Sequence, residues 1–81
     1  MKERKKFMET KEIALRFGQF IREARLRQNL LQKEVAAKLN ISQVYYSYIE
    51  TGSRIVDFPL ALEICRVLEL DLNDFTSSLR N

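Results

Sequence analysis

The sequence predicts an all-α domain of five helices. Two observations predict this fold. Apolar residues recur at intervals of three and four residues in five separate segments, which is the spacing of one helix face. Residues that commonly begin or end helices, such as Ser42, Gly52 and Asp57, stand at the borders of these segments. With 81 residues in total, the chain is expected to form one domain with a single small core.

The composition excludes several classes of protein. An apolar content of 46% indicates a globular chain rather than a disordered one. No apolar run approaches the ~18 residues of a membrane span, and no apolar segment of a secretory signal follows the basic N-terminus. A single cysteine, which allows no internal disulfide, fits a reducing cytoplasm, and the absence of histidine removes the commonest metal ligand and general base. We therefore expect a cytoplasmic protein that is not an enzyme, associates with no membrane and needs no cofactor, metal or small-molecule ligand.

Positive charge is concentrated in the first half of the chain. Residues 1–40 contain eleven Lys and Arg against five Asp and Glu, a net +6, whereas residues 41–81 contain three against six, a net −3. Such asymmetry is typical of a protein with a polyanionic partner, although a solvated charged surface gives the same totals. Residues 1–9 are interpreted as a basic arm that precedes a domain of residues 10–81. The sequence leaves open whether the arm is ordered, and solubility explains its charge at least as well as phosphate contact does.

The first helix is predicted to run from Thr10, its candidate N-cap, to about Gln28, with Asn29 as the C-cap. Gly18 lies in its middle, where glycine costs about 1 kcal/mol relative to alanine, so we expect it to permit a close contact between helices. Phe20 flanks the core face and is expected to be partly buried or to belong to an oligomer contact. The core face itself has a spacing of four, four and three residues: Ile13, Phe17, Ile21 and Ala24.

The second and third predicted helices are short and are joined by a tight turn. The second, residues 32–39, is preceded by Leu31, which cannot supply a side-chain cap. Asn40 follows it, and asparagine tolerates the left-handed conformation that ends a helix. The third, residues 43–50, is ended by Gly52, and between the two helices Ile41 is expected to fill the gap. Two helices connected in this way form a helix-turn-helix motif, although any two short helices of a small bundle share much of this pattern.

The third helix has an outward face with varied polar chemistry. Tyr46 and Ile49 lie three residues apart on the side that we expect to be buried. The remaining side chains offer an amide, an aliphatic group, a hydroxyl and a phenol, and such groups can contact base edges in DNA. They are Gln43, Val44, Ser47 and Tyr48.

The fourth and fifth helices are predicted after two aspartates. Asp57 is the candidate N-cap of the fourth helix, which is apolar almost all round and is therefore expected to be buried in the middle of the fold. Cys65 would then be a core thiol without a reactive role. Asp71 caps the fifth helix, with Asp74 three residues on as in a capping box. The apolar stripe of this helix has a spacing of three and four residues: Leu72, Phe75 and Leu79.

Residues 17–75 resemble the lambda-repressor-like (XRE/Cro-type) helix-turn-helix domain. The resemblance implies five helices, with the second docked across a phosphate backbone and the third in the major groove. At two positions the chain departs from the family pattern, because Leu31 replaces the usual cap of the second helix and Val56 stands where the family often has proline. The residues that carry the resemblance are Gly18, Ile21, Arg25, Gln32, Val35, Ala36, Leu39, Ile41, Ser42, Ile49, Glu50, Gly52, Ile64 and Leu68, with the capped turn of residues 72–75.

The resemblance also implies roles for individual residues. Arg25 and Glu50 match a pair that the family often joins as an ion pair. Tyr45 has a competing role as a partly buried packing residue. The implied base contacts are Gln43, Val44, Ser47 and Tyr48, and the implied contacts to the DNA backbone are Gln32, Ser42, Tyr45, Ser53 and Arg54. Since residues 43–48 contain no Lys or Arg, affinity would depend on Arg54, Lys33, the basic arm and backbone amides, and preference would lean to A·T pairs and DNA shape.

We expect a stand-alone, sequence-specific DNA-binding transcriptional regulator, acting as a repressor or autoregulator. It would bind a pseudo-palindromic double-stranded operator as a homodimer, with half-sites about one helical turn, or ~34 Å, apart. The fifth helix and the tail after it, including Phe75 and Leu79, are the expected dimer interface. The alternative is a protein-interaction module on the same fold, because a face with tyrosines and no basic residue also resembles a protein-binding patch.

Overall fold

The computed structural model describes residues 8–80, and within them the chain forms five α-helices and no strand. The predicted all-α, five-helix architecture is confirmed. Residues 1–7, which make up most of the predicted basic arm, lie outside the described residues. The helices are α1 (Thr10–Arg27), α2 (Gln32–Leu39), α3 (Gln43–Thr51), α4 (Phe58–Val67) and α5 (Leu72–Ser78).

One face of each helix contributes to a single core. In α1, three of the four predicted core residues are buried, and Ile13 is half-buried. Phe20 is also half-buried, because its ring lies 5.4 Å from the Phe75 ring between centroids, and Phe75 in turn lies 5.2 Å from Phe17. Of the two alternatives for Phe20, the structure therefore supports partial burial. The largest fully buried side chains are Tyr46, Ile21, Ile49, Ile64, Leu68 and Val35.

Side-chain caps begin three of the helices where the sequence predicts them. Ser42 Oγ accepts a hydrogen bond from Tyr45 N at 3.0 Å and starts α3. Asp57 Oδ1 accepts from Leu60 N at 2.9 Å and starts α4. Asp71 caps α5 in the same manner, through a bond from the backbone of the second helical residue. Each bond satisfies an N–H group that would otherwise have no partner in the first turn.

Several predicted helix ends are wrong in detail. Thr10 is already helical, because Ile13 N donates to Glu9 O at 3.0 Å, so Glu9 occupies the N-cap position without a side-chain bond. At the other end of α1, Gln28 is the C-cap, and Asn29 follows it with a φ of 57°. Asparagine adopts this left-handed conformation more readily than most residues, so its role is to turn the chain out of the helix.

Two further caps differ from the pattern that the sequence suggested. The N-terminus of α2 is capped in reverse, because the Glu34 carboxylate accepts a hydrogen bond from Leu31 N at 2.7 Å. A leucine at the N-cap is therefore compensated by an acid three residues later. In α5, Asp74 contributes its backbone N–H to Asp71 O at 2.9 Å rather than a side-chain cap.

The prediction that α4 is buried in the middle of the fold is wrong. Ala61, Ile64 and Cys65 are buried, but Leu62 is 44% exposed and Phe58 is 65% exposed. α4 packs by one face, against α2 among others, and no described residue fully covers the opposite face with Phe58 and Leu62. The Cys65 thiol is a core group as expected, and its burial, with a smaller contribution from Asp71, raises its pKa.

Candidate nucleic-acid interface

Helix α3 is held against α1 at a contact that only glycine permits. A Cβ atom added to Gly18 would lie 2.3 Å from the backbone oxygen of Glu50 and 2.6 Å from that of Ile49. Atoms do not approach this closely, so any side chain at residue 18 would push the C-terminal end of α3 away from α1. The predicted role of Gly18 in close helix packing is confirmed.

The turn between α2 and α3 is fixed by backbone geometry. Asn40 has a φ of 60° and ends α2 in the left-handed conformation. Ile41 N donates to Ala36 O at 3.0 Å, and the half-buried Ile41 side chain packs against the core. Ala36 is only 2% exposed, as expected for a small residue where the two helices approach. The turn thus sets the angle at which α3 leaves α2.

The residues implied as base contacts lie outside the buried face of α3. Tyr46 and Ile49 are fully buried, and the opposite side of the helix carries Val44, 62% exposed, and Tyr48, 47% exposed. Gln43 is exposed and Ser47 is half-buried on one flank. The structure therefore brings together an amide, an aliphatic group, a hydroxyl and a phenol on one accessible surface.

The residues implied as contacts to the DNA backbone surround this surface unevenly. Lys33, Ser42, Ser53 and Arg54 are exposed, whereas Gln32 and Tyr45 are half-buried. The loop after α3 is anchored because Ser53 N donates to Tyr48 O at 2.9 Å, and Arg54 N bonds to the same oxygen at 3.3 Å. Its exposed polar groups are thereby kept beside α3.

Tyr45 has one of the two roles that the sequence left open, that of a partly buried packing residue. Its ring packs against the edge of the core, which explains its partial burial. The Arg54 guanidinium lies over the same ring, with Cζ 5.7 Å from the ring centroid. This distance is within the range of a cation–π interaction.

Arg25 and Glu50 form a buried, bidentate ion pair that joins α1 to the C-terminal part of α3. Arg25 Nε donates to Glu50 Oε2 at 2.7 Å, and Nη2 donates to Oε1 at 3.0 Å. The third guanidinium nitrogen, Nη1, donates to Leu30 O at 2.8 Å. Burial alone would raise the pKa of Glu50, but hydrogen bonding to Arg25, with a smaller contribution from Gln32, lowers it. Hydrogen bonding to Glu50 likewise raises the pKa of Arg25.

Sequence reasoning missed a third helix in this cluster. Gln32 Nε2, at the start of α2, donates to Glu50 Oε1 at 2.9 Å, so one carboxylate connects α1, α2 and α3. Beside it, the fully buried Tyr46 hydroxyl has no hydrogen-bond partner among the described residues, and its burial and the nearby Glu50 charge raise its pKa. Gln32 and Glu50 are 18 residues apart, and no local pattern indicates their contact.

The two residues expected in a dimer interface lie in an apolar groove between α1, α4 and α5. Phe75 is only 6% exposed, so it belongs chiefly to the core of the single chain, and Leu79 is half-buried. The exposed apolar surface at the groove comes instead from Ile55 and Phe58, which are 62% and 65% exposed. Phe75 therefore packs mainly within the chain, and the dimer interface stays a prediction.

The geometry defines a helix-turn-helix unit whose second helix presents an open polar surface. Comparisons with known proteins agree with this class. The family described as "Helix-turn-helix" matches residues 21–75. Control protein C.BamHI from Bacillus amyloliquefaciens is 36% identical over 72 residues, which cover 84% of this chain and 89% of that protein.

Two solved structures share the fold. The clp gene regulator ClgR from C. glutamicum superposes with a TM-score of 0.75 at 23% identity, covering 80% of this chain and 84% of that one. The restriction-modification controller protein C.AhdI from Aeromonas hydrophila also superposes with a TM-score of 0.75, at 24% identity, covering 84% of this chain and 99% of that one.

This chain belongs to the helix-turn-helix family. The predicted resemblance and the predicted class, a DNA-binding transcriptional regulator, are confirmed at that level, and the relatives are regulatory proteins rather than enzymes. Within residues 8–80, no helix combines the length and hydropathy that crossing a membrane requires. The same residues contain no group of His, Cys, Asp or Glu side chains arranged to hold a metal ion.

Proposed function

We propose that the chain is a homodimeric, sequence-specific regulator that inserts α3 into the major groove of a pseudo-palindromic operator. The observation that carries this proposal is the accessible face of α3, held in place from behind by the contact at Gly18 and by the ion pair of Arg25 with Glu50. A rigid helix with a varied polar surface can discriminate among base pairs, because its donors and acceptors stay in register with the base edges.

The exposed side chains of α3 suggest which bases it contacts. Gln43, at the N-terminal end of the helix, can pair bidentately with adenine, and Val44 can pack on a thymine methyl group. Tyr48 can stack or donate through its hydroxyl. Because α3 has no Lys or Arg with which to contact guanine, we propose a preference for A·T pairs within each half-site.

Contacts to phosphates would flank this surface. We propose that Lys33 and Arg54 supply charge and that Ser42, Ser53 and Gln32 supply hydrogen bonds. Ser42 Oγ accepts the capping bond from Tyr45 N, which leaves its own hydroxyl proton available to a phosphate. Gln32 Nε2 uses one of its two N–H groups for Glu50, so a phosphate contact would come from the other or from the backbone N–H at the start of α2.

The biological role that we propose is that of a small cytoplasmic controller protein which regulates the genes of a restriction–modification system. The support is the identity with the control protein C.BamHI over most of both chains, together with the fold of the controller C.AhdI. A controller of this kind would act through its own concentration as a repressor or autoregulator.

We propose that the dimer forms through the apolar groove and the exposed side chains beside it, with Leu79 at its edge and Ile55 and Phe58 as the main contacts. Ile55 lies in the loop that follows α3, four residues after the helix ends. A two-fold axis near it would place the two α3 helices on the same side of the dimer, where they could enter successive major grooves.

A protein-interaction module is the second candidate, and one observation favours it. The face of α3 carries no positive charge, and its exposed side chains include the large apolar Val44 and the aromatic Tyr48. Aromatic and apolar groups without charge are typical of the centre of a protein–protein interface.

Fluorescence-anisotropy binding to a randomised duplex pool, at two salt concentrations, tests the two candidates. The wild type is compared with Gln43→Ala and with Gln19→Ala, a matched change of an exposed glutamine on α1. The regulator predicts selection of a pseudo-palindrome, weaker binding at higher salt, and relaxed preference at one position per half-site in Gln43→Ala alone. Failure to select any duplex at low salt would contradict the proposal and favour a search for a protein partner.

A further inference from the structure

The basic residue nearest in sequence to α3 is Arg54, three residues beyond its C-terminal end. Arginine side chains in exposed loops sample many conformations, and ordering one on a ligand costs up to about 2 kcal/mol of side-chain entropy. The conformation of Arg54, however, is already restricted. Its backbone is tied to Tyr48 O, and its guanidinium lies over the ring of Tyr45 at 5.7 Å.

The Tyr45 ring is itself a fixed surface. It lies in the first turn of α3, where Ser42 caps its backbone N–H at 3.0 Å, and it packs against the core. A half-buried aromatic ring with two torsion angles has little freedom once one side is packed. The pair therefore consists of a rigid ring on α3 and a cation that the ring attracts.

We propose that Tyr45 is a positioning residue for Arg54: its ring holds the guanidinium beside α3, where it meets the DNA backbone, and its hydroxyl makes no essential contact. The inference rests on the proposed DNA-binding function. It assigns the ring, rather than the hydroxyl, as the functional part of Tyr45, and it explains how a recognition helix without Lys or Arg acquires a positive charge at its flank.

The first test needs no DNA. Aromatic ring currents shift the NMR signals of protons that lie over a ring, so the side-chain protons of Arg54 are expected to be displaced upfield in the wild type. The displacement should remain in Tyr45→Phe and disappear in Tyr45→Leu. Arg54 signals at the positions of a solvated arginine in the wild type would overturn the proposal, whatever the chain binds.

The second test is a double-mutant cycle on operator binding with Tyr45→Leu, Arg54→Ala and the double variant. A cation–π contact at an exposed site predicts about two- to fivefold weaker binding for Tyr45→Leu. Tyr45→Phe should recover that loss. In the Arg54→Ala background, Tyr45→Leu should cost nothing further, and the slope of log affinity against log salt should already be shallower by about one.

The outcomes separate this inference from the proposed function. Equal losses in Tyr45→Phe and Tyr45→Leu would show that the hydroxyl contacts DNA, and an undiminished loss in the Arg54→Ala background would show that the two residues act independently. Either result overturns the positioning role while the wild type still binds its operator. Thermal unfolding of each variant shows whether a loss of operator binding comes from misfolding. If Tyr45→Leu is misfolded, the NMR comparison of wild type with Tyr45→Phe decides whether the ring positions Arg54.

Discussion

The carboxylate of Glu50 is a buried charge that joins three helices. It is 3% exposed and accepts hydrogen bonds from Arg25 and Gln32. A buried charge in this setting depends on its partners, because neither member of the pair can recover its hydration if the other is removed. The hydrogen bonds of this carboxylate therefore hold α3 in position against α1 and α2.

Replacing Glu50 by alanine should lower the free energy of unfolding by about 3–5 kcal/mol, because Arg25 is left buried and uncompensated. The matched control is Glu63→Ala, since Glu63 pairs with Arg66 at the surface, where their side chains are 44% and 70% exposed. Such exposed pairs contribute about 0–1 kcal/mol. Urea unfolding of the three proteins measures both effects, and similar losses in the two variants would contradict the buried-pair account.

The same carboxylate makes stability depend on pH. The pKa of Glu50 in the folded chain is below its ordinary value of 4.5, so the stabilisation is complete above that value and is lost as the pH falls through the lower, folded value. In Glu50→Gln this contribution is absent. The difference in unfolding free energy between wild type and variant should therefore be larger at about pH 7 than at about pH 3. A difference that stays constant between these conditions would show that Glu50 is not charged in the fold.

At the scale of the elements, the contact between α1 and α3 depends on Gly18, which has no side chain. Gly18→Ala would improve the intrinsic helix propensity of α1 by about 1 kcal/mol. The added Cβ would nevertheless overlap the backbone of α3, and such overpacking typically costs about 1–3 kcal/mol and sometimes more. We expect net destabilisation and a displaced α3.

Thermal unfolding checks this sign, with Gln19→Ala as the neighbouring control on the exposed side of α1. Gln19→Ala should be neutral or slightly stabilising. The structure places an added Cβ at residue 18 only 2.3 Å from Glu50 O. A Gly18→Ala protein that is more stable than the wild type would therefore mean that α1 and α3 are farther apart than the structure shows.

Elements whose cause is local could be predicted from the sequence. Ser42, Asp57 and Asp71 cap helices by bonding backbone atoms two or three residues away, and Asn40 and Gly52 turn the chain through their own φ angles. Each of these residues acts within one helical turn, so the local sequence was enough to indicate the helix boundary at that place.

Features that depend on distant residues could not be predicted in the same way. The apolar sequence of α4 predicts burial on every side. Whether Phe58 and Leu62 are covered depends on helices that are distant in sequence, and in the structure both side chains are exposed. The bond from Gln32 to Glu50 and the stacking of Arg54 on Tyr45 are set by the packing of whole helices. The pair of Arg25 with Glu50 was anticipated only through the family resemblance.

At the scale of the whole molecule, the exposed apolar groups are the main feature that a monomer leaves unexplained. If the proposed dimer forms there, Phe58→Ser should shift the protein towards monomer and weaken operator binding, because Phe58 is 65% exposed beside the groove. Leu26→Ser removes a 47% exposed leucine from α1, outside the groove, and should do neither. Sedimentation equilibrium measures the assembly state, and an unchanged dimer in Phe58→Ser would place the interface elsewhere.

The single cysteine of the chain is a natural probe for opening of the core. Cys65 is 3% exposed and its pKa is raised by burial, so a thiol reagent in solution meets neither an accessible sulfur nor a thiolate while the fold is closed. Labelling therefore requires an opening that exposes this thiol. Its rate without denaturant reports the population of the open state when reclosing is fast, and a ligand that binds only the folded chain, such as the proposed operator, should slow it.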